Sequence, residues 1–230
     1  MDRLQGATEL LDGLLDDPVP LAANLRDLRR LNRLTGGARL SVRAVRALIP
    51  GGGTVLDVGT GAADIPALLL TDARRRDVRL EVTATDARPE VLAAAGVVDP
   101  TLATMPGLVL AVADGRALPW PEGSFDVAHS SMVIHHLEPG DAVVLLRELR
   151  RVARRGIVVN DLDRSLLSWL GAWLLARTIA RSTYTRHDAP MSVRRAYTRD
   201  EMADLIREAG ATPVVSLGGF ARHRYAIAAR

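Results

Sequence analysis

The chain has no cysteine and no lysine. Without cysteine no disulfide can staple the fold, and 230 residues suffice for one α/β domain with a modest accessory element to stand on its apolar core. The absence fits a reducing compartment, and a cytoplasmic location is expected. Without lysine, all 30 basic residues are arginine. Beside 48% apolar residues rich in Ala, Leu and Val, this reads as the imprint of a GC-rich genome. The sequence pI of about 10.1 is then a matter of composition. Aromatics reach only 3% and net charge only +3, with arginines alternating with Asp and Glu. A nucleic-acid binder usually gathers its cations on one side and interleaves aromatics, so no nucleic-acid partner is expected. Long apolar runs are missing too. The most apolar stretch, Leu166 to Ala176, is broken by Ser168 and closed by Arg177. A membrane span needs about 20 apolar residues, so none is expected. Met1-Asp-Arg-Leu-Gln5 lacks the basic-then-apolar pattern of a signal peptide.

What is present changes rhythm near residue 50. Residues 1–48 read as a helical cap. Leu10, Leu11, Leu14 and Leu15 recur at helical spacing, and Pro18-Val-Pro20 interrupts them. Leu21, Leu25, Leu28 and Leu31 then stripe a helix to Leu34, which Gly36-Gly37 ends, and a third helix spans Ser41–Leu48. Pro50-Gly-Gly-Gly53 is a turn. Strands are expected at Thr54–Val58, Leu80–Thr85, Leu108–Val112, Phe125–Ser130 and Ile157–Asn160, then near Thr212–Leu217 and Tyr225–Ala229. Between them helices are expected from Ile65, over Pro89–Ala95, and after Asp141 as cap. Thr198-Arg-Asp-Glu201 is a capping box opening a helix that Gly210 closes. Short apolar strands alternating with helices argue for an α/β, doubly wound parallel sheet covered on both faces. Residues 49–230 read as one domain, with 162–197 a helical lid insertion carrying Trp169, Trp173 and Tyr184.

Asp57-Val-Gly-Thr-Gly-Ala-Ala-Asp64 sits between a strand and a helix. Glycines there let the backbone turn sharply and approach a ligand closely. In open parallel sheets ligands bind beyond the strands' carboxyl ends, where strand order reverses. A dinucleotide fingerprint, G-x-G-x-x-G, would place its last glycine where Asp64 stands, and a carboxylate in that first turn repels pyrophosphate. Asp57 and Asp64 instead suit a cationic ligand. Asp64 also reads simply as a favourable charge at a helix start. Asp86 ends the second strand, where a carboxylate can accept from both ribose hydroxyls. Asp114 ends the third, where an acceptor can meet an adenine amino group. Each alone is a common turn residue. Acids at three consecutive strand ends are a pattern turn chemistry does not predict.

Taken together, the chain resembles the class I S-adenosylmethionine-dependent methyltransferases, in their small-molecule branch of quinone-biosynthesis and polyketide type. The likeness rests on Val55-Leu-Asp-Val-Gly-Thr-Gly61, Thr85-Asp86, Ala113-Asp-Gly-Arg-Ala-Leu-Pro-Trp120, Ser124-Phe-Asp-Val-Ala128, Met132-Val-Ile-His-His-Leu137 and the helix containing Arg147-Glu-Leu-Arg-Arg-Val152. It covers about residues 50–160, and the C-terminal part loosely. Where the family usually has a third glycine this chain has Ala63. The resemblance implies a Rossmann-like, seven-stranded sheet, mostly parallel with the last strand antiparallel. It implies S-adenosylmethionine as cofactor and S-adenosylhomocysteine as product. The cofactor would be held by Asp57, Gly59, Thr60, Gly61, Asp64, Asp86, Ala87, Asp114, Gly115 and Ser130. It implies methyl transfer to a small-molecule acceptor.

Methyl transfer is an in-line displacement, so alignment and exclusion of water supply much of the rate. A phenolic or acidic-carbon acceptor also wants a base, and histidine has a suitable pKa. By resemblance to polyketide C-methyltransferases, His135 is the candidate; holding loop backbone is its plainer role. His187 is a second candidate, while His129 reads as packing and His223 is uninformative. Asn160-Asp161 would need a further carboxylate to hold Mg²⁺, but Ser130-Ser131 occupies that place, so no metal is expected. Ser130-Ser-Met-Val133 is unlike the motif of nucleic-acid amino methyltransferases. Trp169 and Trp173 share one helix face and either line an acceptor pocket or pack on the core, the commoner fate. Arg29, Arg30 and Arg33 either reach the cofactor carboxylate or an acidic acceptor, or stay solvated. The expectation is a lipophilic phenolic, quinone-like or polyketide-like acceptor, O- or C-methylated by a monomer or homodimer. An NAD-dependent oxidoreductase and a non-catalytic binding protein on this fold are the alternatives.

Overall fold

The computed structural model describes residues 1–7, 9–10, 13, 18–219 and 223–230. The sheet strands are β1 (Gly53–Val58), β2 (Leu80–Asp86), β3 (Leu108–Val112), β4 (Phe125–Ser131), β5 (Ala153–Leu162), β6 (Pro213–Gly218) and β7 (Arg224–Ala229). They form one seven-stranded sheet in the order β3-β2-β1-β4-β5-β7-β6. β1 pairs in parallel with both β2 and β4, β5 continues in parallel, and β7 runs antiparallel to both of its neighbours. The strand order therefore reverses between β1 and β4, which places the ligand crevice beyond Val58 and Ser131.

The helices are α1 (Pro18–Leu34), α2 (Gly37–Leu48), α3 (Asp64–Arg75), α4 (Pro89–Val98), α5 (Pro139–Val152), α6 (Leu166–Thr178), α7 (Thr183–Arg195) and α8 (Arg199–Glu208). Alternation along the strands splits the core between two faces. Val55, Val127, Val158 and Ala226 meet α2 and α3 through Val45, Leu48, Ile65 and Leu69. Leu56, Ala128, Val159 and Tyr225 meet α5 and α8 through Leu145, Leu149, Met202 and Ile206.

Several boundaries differ from the sequence expectations. Pro18-Val-Pro20 forms the first turn of α1, where no N–H is needed. Gly36, in the left-handed region at φ 75°, divides α1 from α2, which begins at Gly37 instead of Ser41. The N-terminal cap thus divides: α1 covers the crevice, while α2 packs on the sheet. Asp141 stands inside the first turn of α5, and Glu138 holds the cap position. The capping box on Thr198 and Glu201 forms in full. The helix expected from Leu10 to Leu15 falls largely outside the described residues, since Leu11, Leu14 and Leu15 are not among them.

Candidate active site

A cavity of about 650 Å³ opens beyond the carboxyl ends of β1, β2, β3 and β4, with α1 as its cover. Gly59 and Gly61 adopt φ of 72° and 54°, which only glycine reaches without strain. A methyl on Gly59 would lie 2.2 Å from Val133 Cγ2, so the loop after β4 can close on the turn only because Gly59 has no side chain. Ala63 also adopts a left-handed φ, 52°, which explains why glycine suits that position.

Asp57, Asp64, Asp86 and Asp114 all line this cavity, as do Gly59, Thr60, Gly61, Ala87 and Gly115. Each carboxylate is held differently. Asp86 accepts the N–H groups of Gly61 and Arg88, both at 3.2 Å. Burial still pushes it above the ordinary carboxylate value. Asp64 accepts from Asn32 Nδ2 at 3.1 Å, and burial raises its pKa as well. The half-exposed Asp114 is lowered, because the side chain and N–H of Arg116 both donate to it. Asp57 lies 2.5 Å from His129 Nδ1. His129 Nε2 lies 2.7 Å from Ser41 Oγ, and Asn160 Nδ2 donates to that hydroxyl and to the Gly37 carbonyl. A chain of buried hydrogen bonds thus fixes Asp57 from α2 and two neighbouring strands. His129, which the sequence suggested was packing, carries the middle of it.

Ser130 does not line the cavity. Its buried hydroxyl donates to the Val58 carbonyl, 3.0 Å away, and Ser131 and Met132 supply the wall instead. Strand alternation explains the exchange, since neighbouring residues point to opposite faces. His135 also lies outside the lining, and His136 is in it. His135 is almost wholly buried, with Nδ1 2.7 Å from Asp161 Oδ1. Its N–H donates to the other carboxylate oxygen, and the Leu162 N–H donates to the first. Burial pushes Asp161 up, yet His135, the Leu162 N–H and the charge of Arg224 leave it below the ordinary value. The two imidazole rings lie 4.2 Å apart, so His135 sits directly behind the ring on the cavity wall.

Arg224 was unread in the sequence. It is buried, which lowers its pKa, and lies near Asp161 and Asp64. It donates to Asn32 Oδ1 at 2.6 Å and Ser131 Oγ at 3.2 Å. The one cue is a cation opening the otherwise apolar strand Arg-Tyr-Ala-Ile-Ala-Ala229.

Other expected residues stand away from the cavity. Arg29 pairs with Asp99 and Arg30 with Asp27; neither these nor Arg33 lines it. Trp169 and Trp173 lie on α6 and contribute no wall, and the half-exposed His187 pairs with Asp188. Glu9, His135 and His136 place one donor atom each within 4.8 Å of one another. Two of the three groups already have partners: Asp161 faces His135 Nδ1, while Ser192 and the Arg195 guanidinium, 3.4 Å away, take Glu9. A cation on Glu9 is a poor neighbour for a metal ion.

A family model described as a methyltransferase domain matches residues 56–159. Over those residues the chain is similar to that family. No curated protein matches the chain. Among solved structures, a SAM-dependent methyltransferase from Aquifex aeolicus is 18% identical with a TM-score of 0.65, covering 93% of this chain and 97% of its own. Human N-acetylserotonin methyltransferase, in complex with SAM, is 18% identical with a TM-score of 0.71, covering 97% of this chain and 59% of its own. An O-methyltransferase family 2 protein from Planctomyces limnophilus, complexed with apigenin, is 18% identical with a TM-score of 0.63, covering 95% of this chain and 63% of its own. The chain thus shares with these structures the Rossmann-like, seven-stranded sheet that the resemblance implied. No described helix is long and apolar enough to cross a membrane.

Proposed function

We propose that the chain is an S-adenosylmethionine-dependent methyltransferase of a small, lipophilic phenolic, quinone-like or polyketide-like acceptor. The observation that carries this reading is the set of carboxylates on one cavity wall at the strand-order reversal. When bound, S-adenosylmethionine supplies an electrophilic methyl group on a sulfonium. Asp86, with Ala87 beside it, would accept the ribose hydroxyls, and Asp114 with the Gly115 N–H would hold the adenine. Asp57, Gly59, Thr60, Gly61 and Asp64 would cradle the methionyl end, where two carboxylates answer an ammonium and a sulfonium. That pair would repel a pyrophosphate, which argues against NAD.

On the acceptor side, Leu25, Leu28, Val133 and Leu137 give apolar walls. Asp161 fixes the orientation of His135. Because His136 lines the cavity and His135 does not, we assign the removal of the acceptor proton to His136, with His135 as a positioning residue behind its ring. Direct proton removal by His135, the residue the resemblance suggested, is the second reading and requires the loop after β4 to open. No metal takes part in either. Calorimetry with S-adenosylmethionine, S-adenosylhomocysteine and NAD tests the cofactor. A radiolabelled methyl assay over phenolic acceptors, with and without chelator, tests turnover. Binding of the first two ligands alone and chelator-resistant transfer are expected. Turnover confined to hydrophilic amines, or lost to the chelator and restored by Mg²⁺, would overturn the reading.

A further inference from the structure

We propose that the outer face of α6 docks on an anionic phospholipid bilayer surface. Leu166, Leu167, Leu170, Trp173 and Leu174 are 65%, 61%, 48%, 39% and 55% exposed. Their spacing places them along one side of the helix. Of the thirteen residues of α6 only Ser168 and Ala176 are buried. This face is not part of the cavity, whose wall contains no α6 residue. α6 packs on α7, which packs on α1, so it forms the outer layer of the lid. A contiguous apolar face of this kind on a protein surface marks a contact site.

Charge selects the occupant. No Asp or Glu occurs from Arg164 through His187. Arg177, Arg181 and Arg186 are exposed at the end of α6 and beyond it, and the Arg177 guanidinium lies 4.5 Å from the Trp173 ring centre. A second copy of the chain is disfavoured. Two-fold pairing through this face would set its arginines against the same cationic patch, with no acid in the segment to answer them. A bilayer interface satisfies both halves of the surface. Leucines and tryptophan enter the headgroup–acyl boundary, and the guanidinium groups meet lipid phosphates. A helix of 13 residues is about 20 Å long, so it lies in the interface and does not span. The inference rests on surface chemistry alone and stands apart from the acceptor reading.

Cosedimentation of the full chain with vesicles tests it. Vesicles of phosphatidylcholine alone are compared with vesicles in which about a third of the lipid is phosphatidylglycerol. The chain should sediment with the anionic vesicles and be released from them at about 0.5 M salt. The Arg177→Glu/Arg181→Glu variant should bind at least about 25-fold more weakly, roughly fivefold per arginine. Leu170→Glu/Leu174→Glu should abolish binding. Thermal unfolding and S-adenosylmethionine calorimetry on each variant confirm the fold. If the leucine variant misfolds, the arginine variant decides. Absence of sedimentation, equal binding by folded variants, or a solution dimer that Leu170→Glu dissociates would each overturn the proposal.

Discussion

The two sides of the cavity are built in different ways. The proposed cofactor side comes from consecutive strand ends: Asp57 and Asp86 stand at the ends of β1 and β2, Asp114 just beyond β3, and backbone N–H groups hold Asp86 and Asp114. The proposed acceptor side and the networks behind it are assembled from residues far apart in the chain. His135 depends on Asp161, Asn32 on Arg224, and Glu9 on Ser192 and Arg195. The acids of the first side thus follow a local rhythm in the sequence, although Asp57 and Asp64 are steadied by His129 and Asn32 from elsewhere, whereas the second side has no local rhythm. Loss of Asp86 or Asp114 should stay local, and loss of Arg224 should spread.

The largest expected effect is on turnover. His136→Ala should lower kcat about a thousandfold, within the usual range for loss of a general base, with cofactor affinity unchanged. Unchanged turnover in that variant, with loss in His135→Ala, would move the base to the buried histidine behind it. Next is the buried cation. Arg224→Met should cost about 3 kcal/mol in denaturant unfolding, because Asp64, Asp161, Asn32 and Ser131 lose their shared partner. A neutral result would show that the two walls are not tied through this residue.

A smaller effect follows from pH. Asp86 has a raised pKa, so protonation removes its acceptor charge at a pH above 3.8. Its ionisation opposes folding, and stability gains as pH falls through the raised value. Asp161 has a lowered pKa, so its contribution is full above 3.8 and is lost only as pH falls through a lower value. S-adenosylmethionine affinity, followed by calorimetry on acidification, should therefore fall before Asp161's contribution to the fold does. Smallest is Asp64→Asn. Burial disfavours the charge of Asp64, so the neutral isostere should leave the melting temperature unchanged or raise it while weakening cofactor binding. A lower melting temperature would mean that Arg224 and Asn32 outweigh that burial.

This contrast also explains what could be read from the sequence. The seven strands, the glycine turn and the strand-end acids show in local patterns, and the structure places those acids on one wall. Ser130 was misread by one position of strand alternation. His129 reads as packing and Arg224 goes unread because their partners Asp57, Ser41, Asn32 and Ser131 lie outside any local pattern. The lid tryptophans carried no positional cue. Whether a helical aromatic faces a cavity or the outside depends on packing beyond its own helix.

The most direct test is titration calorimetry of the wild-type chain and of Asp86→Ala with S-adenosylmethionine and NAD. Each hydrogen bond to a charged group contributes about 1.5–3 kcal/mol. Wild-type binding of S-adenosylmethionine alone, weakened about a hundredfold or more in the variant, is the expected result. Binding of NAD, or S-adenosylmethionine binding indifferent to Asp86, would contradict the assignment of this cavity.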